Sequence, residues 1–142
     1  MLVLMIIVVF LSCANNRIVE EVKYQPVKGK VAFCLRVPIG FRLQKIEGSH
    51  ELEQQYWYPD SSVLYVTNDR TVSVINYDRV YGLGDVYYAR QFECDTMTVS
   101  GVNRGLHWKD RKYGEVTIDY AHVSEEKTKL FDSALESIQR CK

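Results

Sequence analysis

No apolar run in this sequence is long enough to cross a bilayer as a helix. The longest, Met1 to Leu11, reaches little more than half of the about 20 residues a span requires. Neither sign of charge is in excess, with Lys plus Arg and Asp plus Glu at 18 each, so no basic surplus exists to release counterions from a nucleic-acid backbone. Nucleic acid is therefore not an expected partner. Cysteine is scarce, at Cys13, Cys34, Cys94 and Cys141, and forms no C-x-x-C pair or Cys/His cluster at zinc spacing. Neither a metal nor any other cofactor is expected. Three prolines lie far apart, and no repeat or low-complexity tract is present, which leaves the composition of an ordinary globule. At 142 residues it fits one domain.

What is there begins with the apolar opening. Ser12, Cys13, Asn15, Asn16 and Arg17 end it, and Glu20 and Glu21 follow. A short apolar core followed by small and polar residues is the layout of a secretory signal peptide. Residues 14–30 mix Asn, Glu, Lys, Gln, Pro and Gly without a sustained period, which predicts a flexible tether, with at most short order around Val22 to Val27.

Within that opening, Phe10-Leu11-Ser12-Cys13 resembles the lipobox of bacterial lipoproteins, and Ala14-Asn15-Asn16 resembles their tether. The resemblance implies a signal peptide over residues 1–12, and with the pattern that follows the expected organisation is a tether over 13–30 and a single folded domain over 31–142. In that class the cysteine thiol is diacylated, the chain is cut before it, and the new amino group is acylated, so Cys13 is the expected lipid-attachment residue and the membrane the expected partner. Two or three chains, at about 0.8 kcal/mol per buried methylene, anchor stably where one is marginal. Ala14 carries no acidic retention mark, and the resemblance then implies the outer membrane, facing the periplasm.

Val31, Phe33, Leu35 and Val37 alternate with Ala32, Cys34 and Arg36, the period-2 pattern of a half-buried strand stopped by Pro38. Further strands are predicted over 41–46, 53–58, 63–67, 96–102, 106–112 and 115–123, broken at Gly48-Ser49, Pro59-Asp60, Asn103-Arg104-Gly105 and Tyr113-Gly114. Asp85 is placed to cap a short middle helix running to about Cys94. Ser124 is placed to cap a C-terminal helix with Glu125 and Glu126 in its first turn, the stripe Leu130, Phe131, Ala134, Leu135 and Ile138, and Arg140 and Lys142 near its end. The expectation is an α+β domain: an antiparallel sheet of about five to seven strands, with the C-terminal amphipathic helix on one face and the middle helix on the other. The nearest shape is similar to the sandwich of photosystem-II extrinsic subunits, a likeness of fold that carries no function.

Catalytic motifs fall short. Ser124-Glu125-Glu126-Lys127 has the letters S-x-x-K without the companion S-D-N and K-T-G, and capping explains it better. Gly82-Leu83-Gly84 lacks the third glycine of a dinucleotide loop. His50, His107 and His122 have no partner at metal-binding spacing, so no catalytic residue is assigned and the chain is not expected to be an enzyme. Ten tyrosines are many for this length, and amphipathic aromatics suit interfaces. Tyr56, Trp57, Tyr58, Tyr77 and Tyr81 form the candidate patch for a ligand or an envelope partner, set against the ordinary strand preference for tyrosine.

An exported chain meets oxidising conditions, where one disulfide is expected from the remaining thiols, the alternative being three buried free cysteines. Cys34 points away from the apolar face of its strand, which favours Cys94 over Cys141 as its partner if the closing helix covers that face. The leading expectation is a non-enzymatic binding or accessory lipoprotein. An envelope hydrolase with a site assembled from distant residues is the competing class, and a structural subunit the third.

Overall fold

The structure is a computed structural model that describes residues 17–26, 30–49, 51–68 and 96–142. The middle helix, Cys94, Tyr77, Tyr81, His50 and the whole opening through Cys13 lie outside the described residues.

Alternating side chains build each strand, and short turns set their pairing. The described elements are β1 (Val19–Tyr24), β2 (Phe33–Pro38), β3 (Arg42–Glu47), β4 (Leu52–Trp57), β5 (Val63–Thr67), β6 (Thr96–Asn103), β7 (Leu106–Tyr113), β8 (Val116–Val123), a 3-10 turn (Glu125–Lys127), helix α1 (Thr128–Glu136) and β9 (Gln139–Arg140). They form two antiparallel sheets: β1-β2-β9, and the six-stranded β3-β4-β5-β8-β7-β6. The described residues are mostly antiparallel β with one short C-terminal helix, and they hold more strands than the expected five to seven.

One extra strand comes from the expected tether. Val22 and Tyr24 stand opposite Leu35 and Phe33, and the Tyr24 hydroxyl donates to the Leu52 carbonyl at 2.6 Å and to Asn68 Oδ1 at 3.0 Å. Tyr24 is fully buried, so residues 19–24 belong to the folded domain and its boundary falls before residue 31. A two-residue apolar alternation among glutamates and lysines was too weak a signal to distinguish from linker.

The six-stranded sheet turns its apolar inner face, including Tyr56, Leu64, Val66, Val116, Ile118 and Tyr120, toward Phe33, Leu35 and Val37 of β2 and Phe131, Ala134 and Leu135 of α1, in one core. The i, i+3, i+4 spacing of those three α1 residues gives the helix its buried stripe. Leu130, expected in that stripe, is only partly buried. Ser124 makes no side-chain cap, and the chain enters α1 through the 3-10 turn, Lys127 N–H donating to the Ser124 carbonyl at 3.0 Å.

The helix ends early. Ser137 Oγ donates to the Ala134 carbonyl at 2.7 Å and accepts from the Arg36 N–H at 2.8 Å, which fastens the helix end to β2. The chain then runs beside β2 as β9, so Arg140 lies on a strand and not at a helix end. Cys34 pairs with Gln139, and Cys141 sits two residues on, on the same side of the sheet. The disulfide is therefore Cys34–Cys141, with Cα atoms 5.1 Å apart, and not Cys34–Cys94. The expected partner was wrong because the extended tail, rather than the helix, carries Cys141 to the outward side of β2.

Candidate functional site

Strand alternation divides the aromatic candidates. Tyr56 points into the core at 1 % exposure, with its hydroxyl donating to Gln54 Oε1 at 2.7 Å and its ring edge-on to Phe41 at 4.9 Å. Tyr58 donates to the Pro38 carbonyl at 2.9 Å and meets Phe41 and Phe131 edge-on. Burial raises both phenols above the ordinary tyrosine range. These two therefore help build the core, and no contiguous patch joins all three residues.

Trp57 points to the opposite, outer face. Its Nε1 donates to Gln55 Oε1 at 2.8 Å, so the ring is fixed while one side stays open. Arg42 stands directly opposite it in the β3–β4 register. Trp57 and Arg42 border a groove of about 360 Å³ that Phe41, Tyr58 and Ser61 also line. An indole, a guanidinium and a hydroxyl around one groove suit a small anionic ligand with a flat apolar face.

The same outer face holds a polar layer that the sequence reading missed. Glu53, Gln55, Thr67, Asp110, Lys112, Thr117 and Asp119 are all buried there, beside Tyr65 and Trp108. Gln55 Nε2 donates to Glu53 Oε1, continuing the chain of hydrogen bonds from Trp57 inward. At its centre Asp110 and Asp119 face each other across β7 and β8, each 2 % exposed. Burial, first, drives the Asp110 carboxyl up to about 7, and Asp119 rises well above the carboxylate range through burial and then the nearby charges of Asp110 and Glu53. Both carboxyls are thus raised, and burial favours one proton held between the two rather than two facing charges.

A signal for this pair was available. Tyr113 and Val116 close a two-residue turn at Gly114-Glu115, where Gly114 has φ +60°, and three steps back along each strand bring Asp110 opposite Asp119. Two carboxyls sharing a proton can serve acid–base chemistry, yet both are shut away from solvent, so a substrate would have to uncover them. Among the described residues, no group of three or more His, Cys, Asp or Glu is arranged to hold a metal ion.

His107 is partly buried, with Nε2 2.5 Å from Glu125 Oε2, and His122 is exposed at φ +59° beside the irregular end of the β7–β8 ladder. Trp108 lies flat over Gly101, its cross-strand neighbour; a Cβ there would stand 2.7 Å from the indole Cζ2. Gly101→Val is expected to displace the ring and destabilise the fold by roughly 1–3 kcal/mol, read from urea unfolding together with a shift in tryptophan emission.

Comparison with protein-family models, with curated proteins and with solved structures returns no match.

Proposed function

We propose that the chain is an exported bacterial lipoprotein, anchored to the outer membrane through Cys13, whose domain acts as a non-enzymatic binding or accessory module in the periplasm. The observation that carries the reading is the Cys34–Cys141 disulfide, because such bonds persist in oxidising compartments and are rare in the cytosol. It is independent of the lipobox-like Phe10-Leu11-Ser12-Cys13 and points the same way. The groove between Trp57 and Arg42 is the proposed ligand site, for an anionic small molecule or an acidic side chain of an envelope partner.

Metabolic labelling with a fatty acid tests the anchor. Wild-type chain in a bacterial host is expected to take up label and fractionate with outer membranes, whereas Cys13→Ala stays unlabelled. Equal behaviour of the two proteins would falsify the reading.

A hydrolase reading draws on one specific observation, the proton-sharing pair Asp110 and Asp119. Their burial weighs against it, since acid–base catalysis needs the reacting group within hydrogen-bond reach.

A further inference from the structure

Among the described residues strand β3 ends the six-stranded sheet, and all six of its residues are exposed. Native edges are commonly blunted by proline, a bulge or a covering segment, because bare backbone groups there recruit another strand. The register from Arg42 to Glu47 runs without a break, contains no proline, and exposes Ile46 at 49 %. Its charged residues give it a specific complement.

The Gly48 N–H donates to the Glu51 carbonyl at 2.8 Å, which makes Gly48 and Glu51 a hydrogen-bonded pair. Counting back in twos, Ile46, Gln44 and Arg42 also spend their backbone groups on β4. Lys45 and Glu47 therefore aim their N–H and C=O groups outward, at the free edge. Ile46 lies between them.

We infer that β3 is a self-pairing edge: two copies of this chain join antiparallel about a two-fold axis at Ile46, placing Lys45 of each opposite Glu47 of the other. The symmetry decides the register. A two-fold axis perpendicular to the sheet keeps each face continuous, so only pairings between residues of the same parity are allowed. Centring on Lys45 would set two ammonium groups against each other, and centring on Gln44 would leave Glu47 facing Phe41. Centring on Ile46 gives two opposite-charge pairs and one apolar pair, and it matches the outward backbone groups of Lys45 to those of Glu47. Ile46 then occupies a close pair with Cα atoms about 4.5 Å apart. Gln44 falls opposite Gly48, which has no side chain to obstruct the approach. The occupant is thus a second copy, because the strand complements itself. The inference goes beyond the anchor reading and does not depend on it.

Cysteine cross-linking tests the register. The full chain carrying Ile46→Cys, oxidised in the membranes that hold it or in detergent, is expected to run mainly at twice its mass on non-reducing electrophoresis. Gln44→Cys, on the same face but opposite Gly48, is expected to stay at the wild-type background, which accounts for the other cysteines. Adding Lys45→Glu to Ile46→Cys should cut the cross-linked fraction several-fold, and adding Glu47→Lys as well should restore it. All these positions are exposed, so folding is preserved. A wild-type background for Ile46→Cys, equal cross-linking through Gln44→Cys, or indifference to the charge reversal would overturn the inference.

Discussion

Urea unfolding is expected to find this domain more stable at pH 5 than at pH 8. Burial pushes Asp110 up to about 7 in the folded chain against an ordinary 3.8, and Asp119 is raised in the same direction. Between those values the folded state holds protons that the unfolded state has lost. Stability is therefore fully present below about pH 4 and is lost as pH rises through 7, at up to about 1.4 kcal/mol per pH unit for each group. Asp60 acts the opposite way: the hydrogen bond from Lys127 draws it down to about 2, so its contribution is present above about pH 4 and lost only in stronger acid. That pair is more than a third exposed, so screening holds its worth below about 1 kcal/mol. Asp119→Asn removes one of two facing acids while keeping a donor toward Asp110. The variant is expected to flatten the dependence and to gain on the order of 2 kcal/mol at pH 8. A wild-type curve that rises steadily from pH 5 to pH 8 would show that the two acids do not share a proton.

The second large effect concerns the tail. The Cys34–Cys141 bridge closes a separation of 107 residues, and the chain-entropy argument assigns a loop of that size about 4–5 kcal/mol. Among the described residues the tail is otherwise held by the two residues of β9, the Cys141 N–H donating to the Ala32 carbonyl at 2.9 Å, the Ser137 contacts and the buried Ile138. Cys141→Ser is expected to lower the melting temperature by about 10 °C, given 2–4 °C per kcal/mol for a chain of this size. Reductant should do the same to wild type and nothing further to the variant. If reductant leaves the wild-type midpoint in place, the bridge contributes nothing to the fold.

Legibility followed the strength of local pattern. The alternation from Phe33 to Val37 lies in β2, although Val31 precedes the strand, exposed, and Pro38 is the strand's last residue. The pair of turns at Asn103-Arg104-Gly105 and Tyr113-Gly114 announced the meander β6–β7–β8, where Gly105 and Gly114 take positive φ. Trp108 is buried on the outer face, shared with Asp110 and Lys112. Asp110 and Lys112 share the face of Trp108 by alternation, and burying polar groups on both strands of a hairpin breaks the rule of one wet face, so local pattern does not announce the polar layer. The hairpin arithmetic that pairs Asp110 with Asp119 was in the sequence and needed only the turn at Gly114 to be taken at its tightest.

Tertiary contacts decided the rest. Nothing local marks Tyr24 as core; it is held by Leu52 and Asn68, which are 28 and 44 residues away. The tail of α1 reads as helix by spacing through Ile138, yet Ser137 turns it out and Gln139–Arg140 adds to a sheet formed far earlier in the chain. That turn is why Cys141 reaches Cys34. In the aromatic run Tyr56-Trp57-Tyr58, alternation alone required at least one ring on each face. The β3–β4 register sets Arg42 opposite Trp57, the ring on the outer face.

Intact-mass and peptide analysis of the full chain extracted from bacterial outer membranes measures the central claim most directly. The account predicts a chain beginning at an acylated Cys13, together with a peptide pair joined through Cys34 and Cys141 that separates on reduction. Recovery of a chain that still carries Met1, an unacylated Cys13 and free thiols at Cys34 and Cys141 would contradict it.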